Sequence, residues 1–98
     1  MVLEQAVIQV IPGHEDAFEE AFSGVSGLLA GSPGCHGPHL YRCFETPGRY
    51  LLLVQWERLE DHLEGFRKSA AFQEYRGALM SFYAAPPAVE HYELRQER

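Results

Sequence analysis

The chain is poor in cysteine, in basic residues and in long apolar runs, and each shortage excludes something. Two cysteines, Cys35 and Cys43, are too few for a disulfide framework. Lys and Arg number 8 against 14 Asp and Glu, a formal charge of -6. The basic residues are scattered, so no run tracks a phosphate backbone, and nucleic acid is not expected as a partner. An anionic membrane surface would repel such a chain. No apolar run approaches the ~20 residues needed to cross a bilayer. The opening MVLEQAVIQV has neither the basic segment nor the long apolar core of a signal peptide. A cytoplasmic location is therefore expected, with both cysteines as free thiols.

What is present is an ordinary globular composition in 98 residues, enough for one domain with a single core spanning residues 1–98. Val2 to Ile11 reads as a strand, with Ala6, Ile8 and Val10 on one side and Val7, Gln9 and Ile11 on the other. Pro12-Gly13 breaks it. Glu15 and Asp16 then open a helix, where the helix dipole favours carboxylates. Phe18, Phe22, Val25 and Leu29 recur at helical spacing. GSPGCHGP, Gly31 to Pro38, ends that helix with turn chemistry. His39 to Phe44 reads as a second strand, joined through Thr46-Pro47-Gly48 to a third. After Glu57 the period becomes helical. Leu59, His62, Leu63 and Phe66 share one face, and the segment around Lys68-Ser69 bends or splits the helix. Phe72, Tyr75, Arg76, Leu79 and Phe82 continue the stripe until Ala85-Pro86-Pro87 stops it. Ala88 to Leu94 alternates as a last strand.

The order βαββαβ is the ferredoxin-like α+β arrangement: an antiparallel sheet with both helices on one face. The third strand, YLLLVQW from Tyr50 to Trp56, is apolar on both sides. Leu51 and Leu53 point one way, while Leu52, Val54 and Trp56 point the other. Helices can screen one flank, and nothing left in the chain screens its reverse. Each large apolar side chain left in water forgoes roughly 1.5–3 kcal/mol. The expectation is a homodimer, two sheets packed face to face across a two-fold axis.

Several stretches together resemble the antibiotic biosynthesis monooxygenase family. They are Pro12-Gly13 after the first strand, Phe18 and Phe22 on the helix, Pro33-Gly34, Leu40 and Arg42 on the second strand, Gln55-Trp56-Glu57, HLEGFRKSAAF from His62, and VEHYE from Val89. The resemblance spans roughly Val2 to Leu94 and implies a dimeric α+β barrel. It also implies oxygenation of a small aromatic or quinol-like compound without metal, flavin or other cofactor. In that chemistry a phenol or quinol loses a proton, and the electron-rich anion reacts with dioxygen. The protein supplies an apolar pocket, a group that handles the proton and donors that hold the anion.

The pocket is expected between sheet and helices, walled by Trp56, Phe66, Phe72 and Leu79. His62 and Arg76 are the polar residues whose stripes point into it and the candidates for catalysis. His62 is the natural proton handler near neutral pH. Tyr75 and His91 are further substrate-contact candidates, and Tyr41 and Tyr83 are possible hydroxyl donors. Each has a structural alternative: a core tryptophan, a histidine bonded to a backbone carbonyl, an arginine paired to a surface glutamate, half-buried tyrosines. Cys35, His36, His39 and Cys43 are possible zinc ligands, but their spacing fits no standard knuckle, and no metal is expected. The haem-degrading branch of the family implies a histidine on the second helix and an asparagine on the first strand. Arg76 and Ala6 stand near those places, leaving only His62 or His91 as substitute ligands. A non-catalytic dimer, one that binds a small apolar molecule or serves as a stress-related or accessory protein, is the remaining alternative.

Overall fold

The computed structural model describes residues 1–98. Four strands form one antiparallel sheet: β1 (Val2–Gln9), β2 (Cys35–Arg42), β3 (Arg49–Trp56) and β4 (Ala88–Glu93), in the order β2-β3-β1-β4. Helices α1 (Glu15–Ala30) and α2 (Ala70–Leu79) complete the ferredoxin-like order. No helix is long and apolar enough to cross a membrane.

Strand alternation sorts the sheet into two faces. On one, Ala6, Ile8 and Val10 of β1 and its extension join Tyr50, Leu52, Val54 and Trp56 of β3, all buried. Phe18, Phe22 and Leu29 of α1 and Tyr75 and Leu79 of α2 close over them. The opposite face carries Leu3, Leu51 and Leu53, half-buried, with Tyr41 and Tyr92 more exposed. The flank of β3 that lies away from the helices is therefore the Leu51 and Leu53 side, and no element of the chain covers it.

Two connections set how these layers meet. Gly48, before β3, has φ +79°, and a Cβ there would lie 2.9 Å from the Val10 carbonyl oxygen. Its own carbonyl accepts from Val10 N at 2.8 Å. A glycine thus lets the β2–β3 turn press against β1. The second connection is the split helix. Asp61–Phe66 is a π-helical turn, closed by Arg67 N donating to the His62 carbonyl at 3.0 Å. Ser69 then ends it and starts α2: its hydroxyl donates to Phe66 O at 2.6 Å and accepts from Phe72 N at 3.1 Å. The widened turn brings His62 and Phe66 to the sheet side, both buried, whereas Leu59 of the expected stripe is 36% exposed.

The expected second strand is displaced. It begins at Cys35, not His39, and ends at Arg42, leaving Phe44 wholly exposed. The turn-like residues Gly34 to Pro38 instead build a bulge, with the register shifting between His36 and His39 and Gly37 at φ +133°. Glycine and proline mark an irregularity inside the strand here rather than its boundary.

Candidate functional site

A cavity of about 340 Å³ lies between the sheet and the helical layer. Its apolar lining comes from Ala6, Ile8, Leu29, Leu52, Phe66, Phe72 and Val89, among others. Its polar lining is Glu4, His62, Arg67, Tyr75, Arg76 and Tyr83. Of the residues singled out in the sequence, His62, Arg76, Phe66, Phe72, Tyr75 and Tyr83 therefore meet at one place. Trp56 and Leu79, expected as walls, are wholly buried in the core behind the lining. Tyr41 is on the opposite face of the sheet, 54% exposed.

At one end of the cavity four side chains form a connected cluster. Glu4 on β1 is 5% exposed. Its Oε1 accepts from the Trp56 indole Nε1 at 2.9 Å and lies 3.4 Å from His62 Nε2. His62 Nδ1 is 2.7 Å from Nε2 of His91. His91 sits directly across from Glu4 in the β1–β4 register, which places it on the cavity side of the sheet, half-buried. Trp56 and His62 stack, their ring centroids 5.1 Å apart, and Phe66 packs against both rings.

The electrostatics are set by burial. Desolvation pushes the Glu4 carboxyl above its ordinary value, opposed by the Trp56 hydrogen bond and the Arg67 charge. Desolvation, Arg67 and His91 together lower His62 to about 4. His62 is accordingly a neutral imidazole at neutral pH, and His91 is lowered for the same reasons of burial and Arg67. Burial raises Tyr83 to about 12 and Tyr75 further still, so both phenols keep their protons. Burial and Glu4 likewise hold the Cys35 thiol up, at about 11. Arg67 and Arg76 form no ion pair with any carboxylate of the chain, unlike Arg42, Arg58 and Arg95.

The cysteine and histidine cluster of the second strand does not converge: no group of three or more His, Cys, Asp or Glu is arranged around a common point. Cys35 faces the core, while His36 reaches outward to Glu57 at 3.2 Å.

The family model for antibiotic biosynthesis monooxygenase matches residues 1–78. The chain belongs to the antibiotic biosynthesis monooxygenase family. Within that family setting, it is 43% identical over 93 residues to the uncharacterized protein YczJ of Bacillus subtilis (strain 168), covering 95% of this chain and 98% of that one. A crystal structure of a Bordetella bronchiseptica protein assigned to the same family superposes with a TM-score of 0.92 at 40% identity, over 97% of each chain. SnoaB, a cofactor-independent oxygenase from Streptomyces nogalater, superposes with a TM-score of 0.84 at 19% identity, over 98% of this chain and 94% of its own. At that identity the likeness is one of fold.

For haem, the cavity lining offers one histidine, and that one already has neighbours. His62 is the only histidine on the cavity lining, and its nitrogens face His91 and Glu4. Arg76 and Ala6, expected from the sequence to stand near the histidine and asparagine places of the haem-degrading branch, both line the cavity.

Two polar lining residues escape a reading of the sequence. Glu4 is legible in principle, since it shares strand parity with the buried Ala6, Ile8 and Val10; a lone carboxylate on an apolar face is a signal. Arg67 gives none: it follows the π-turn and is exposed, yet it reaches the cavity lining.

Proposed function

We propose that the protein is a cofactor-independent monooxygenase acting on a small aromatic, hydroxyarene or quinol-like compound held in this cavity. The observation that carries the reading is an apolar chamber of about 340 Å³ with the buried Glu4–His62 pair at one end. Apolar walls select a flat, greasy substrate. The polar end handles its acidic proton, and Arg67 and Arg76, uncommitted within the chain, hold the anion that results. The substrate is its own reductant. For a methylene flanked by aromatic rings, dioxygen supplies the new carbonyl oxygen, and its second oxygen leaves as water with the two hydrogens. Family membership and the fold shared with SnoaB support the reading.

A second copy of the chain covers the uncovered sheet face, sheet against sheet. The support is Leu3, Leu51, Leu53, Tyr41 and Tyr92, which share that face with no element over them.

Oxygen uptake with a panel of hydroxyarenes, quinols and anthrone, in the presence of a chelator, tests the activity. Saturable uptake is expected from the wild type, and loss of it in Val89→Trp, which fills the cavity from its β4 wall. No uptake across the panel would retire the oxygenase reading and leave a binding role.

A further inference from the structure

His62 is the histidine that composition and spacing recommend as the base, but its surroundings leave it no lone pair for a ligand. Nε2 faces Glu4 Oε1 at 3.4 Å. A lone pair there would confront the carboxylate's own electrons, so the ionised Glu4 selects the tautomer with hydrogen on Nε2. The remaining lone pair is then on Nδ1, and it points at His91 Nε2, 2.7 Å away. In a neutral ring neither nitrogen then offers a lone pair to a ligand.

Glu4 is in the opposite position. Oε1 accepts the Trp56 N–H and faces His62, while Oε2 makes no hydrogen bond in the chain. No buried side-chain oxygen is sealed off without a partner, and Glu4 lines the cavity. Its lone pairs are available to a bound molecule.

We infer that Glu4 Oε2 is the proton acceptor of the site, and that His62 and His91 are positioning residues that hold its other oxygen in place. In the step, a C–H or O–H bond of the ligand breaks and its electron pair stays on the ligand. The proton forms an O–H bond at Oε2, and the carboxylate becomes a neutral acid. No other reactant takes part. The charged and titratable groups around Glu4 are His62 on the π-turn, Arg67 beyond it, His91 on β4, Tyr75 on α2 and Cys35 on β2. Burial lifts the carboxyl toward the working pH, where a base is most effective. The assignment rests on the reading that the cavity binds an acidic aromatic compound, but it does not need oxygen chemistry.

Anthrone isolates the step, because its methylene exchanges hydrogen for deuterium only through the carbanion. Exchange is followed by NMR in deuterated buffer without oxygen, and air is admitted afterwards to read oxygen uptake. Wild type is expected to accelerate exchange over buffer, and Glu4→Gln to lose about a hundred-fold or more of that acceleration. Its rising pH limb should lie above 4.5, the ordinary value for this carboxyl. His62→Phe keeps an aromatic ring against Trp56 but removes the polar imidazole beside Glu4. Exchange should survive in it with the limb moved to higher pH. Wild type no faster than buffer, or exchange abolished in His62→Phe, overturns the assignment, and the second readout stands even if Glu4→Gln fails to fold. Oxygen uptake that persists in Glu4→Gln also overturns it while leaving the oxygenase reading intact. Glu4-dependent exchange with no oxygen uptake upholds the base and ends the oxygenase reading.

Discussion

The Trp56 indole and the His62 imidazole lie face to face, with planes 15° from parallel; the indole donates to Glu4 Oε1, and His62 Nε2 lies 3.4 Å from the same oxygen. Aromatic packing thus sets the direction of a buried carboxylate. The stack joins β3 to the π-turn, so the carboxylate's orientation depends on the helical layer being seated on the sheet.

Replacing Trp56 by Phe tests that dependence. The ring stack remains, but the Nε1–H bond to Glu4 is gone. A hydrogen bond to a buried charged group is worth roughly 1.5–3 kcal/mol, and denaturant unfolding followed by circular dichroism should show a loss of that order. The Glu4 carboxyl should rise further, since this bond opposes its desolvation. The acid carbonyl stretch in infrared difference spectra should then persist to higher pH than in wild type.

His62 should impose a pH dependence on stability. Its folded value, about 4, lies below its ordinary 6.5, so the folded state binds this proton less readily than the unfolded chain. The contribution is whole above pH 6.5 and is lost as pH falls toward 4, with a ceiling of about 3 kcal/mol. Glu4 acts in the opposite sense: its raised value gives a contribution that is full below 4.5 and is lost as pH rises through the folded value. Because His62→Phe also shifts Glu4, the difference in unfolding free energy between Glu4→Gln and Glu4→Gln/His62→Phe isolates the histidine. It should shrink on acidification through that window.

Leu53 lies on the uncovered flank of β3, opposite Gln5 of β1 and beside His39 of β2. Leu53→Lys should leave the inner core untouched and the fold intact by circular dichroism. Sedimentation should find a dimer in wild type and a monomer in this variant. A wild-type monomer at micromolar concentration would remove the second copy.

Gly48→Ala should destabilise by about 1–3 kcal/mol, because it combines a left-handed backbone with a 2.9 Å approach to the Val10 carbonyl. Ser23→Ala, on the exposed side of α1, is the control and should be near neutral in thermal unfolding.

Much of this architecture is legible in the order of residues alone. The alternation in YLLLVQW places Leu52, Val54 and Trp56 together, and the fold buries those three with Tyr50. The helical stripe through Phe18, Phe22 and Leu29 is likewise the buried face of α1. The second strand departs from its expected place because Gly34, Gly37 and Pro38 obey turn rules locally, while the ladder to β3 imposes an extended path through them. The site is legible only in part. His62 is marked by its place on an apolar stripe, but its neighbours are remote in the chain, Glu4 on β1 and His91 on β4. Pairing across that distance depends on strand register, and the π-turn that seats His62 and precedes Arg67 has no sequence period of its own.

Strand β4 pairs with β1 alone and spans six residues, yet it carries His91 and the Val89 wall. An edge this short is the first part of a sheet to fray. When it lifts, Glu4 loses the β4 side of its surroundings and becomes more exposed to bulk water. The burial of this carboxylate therefore depends on the ladder between Val2–Val7 and Ala88–Glu93, and ligands or solution conditions that clamp this last ribbon prolong it.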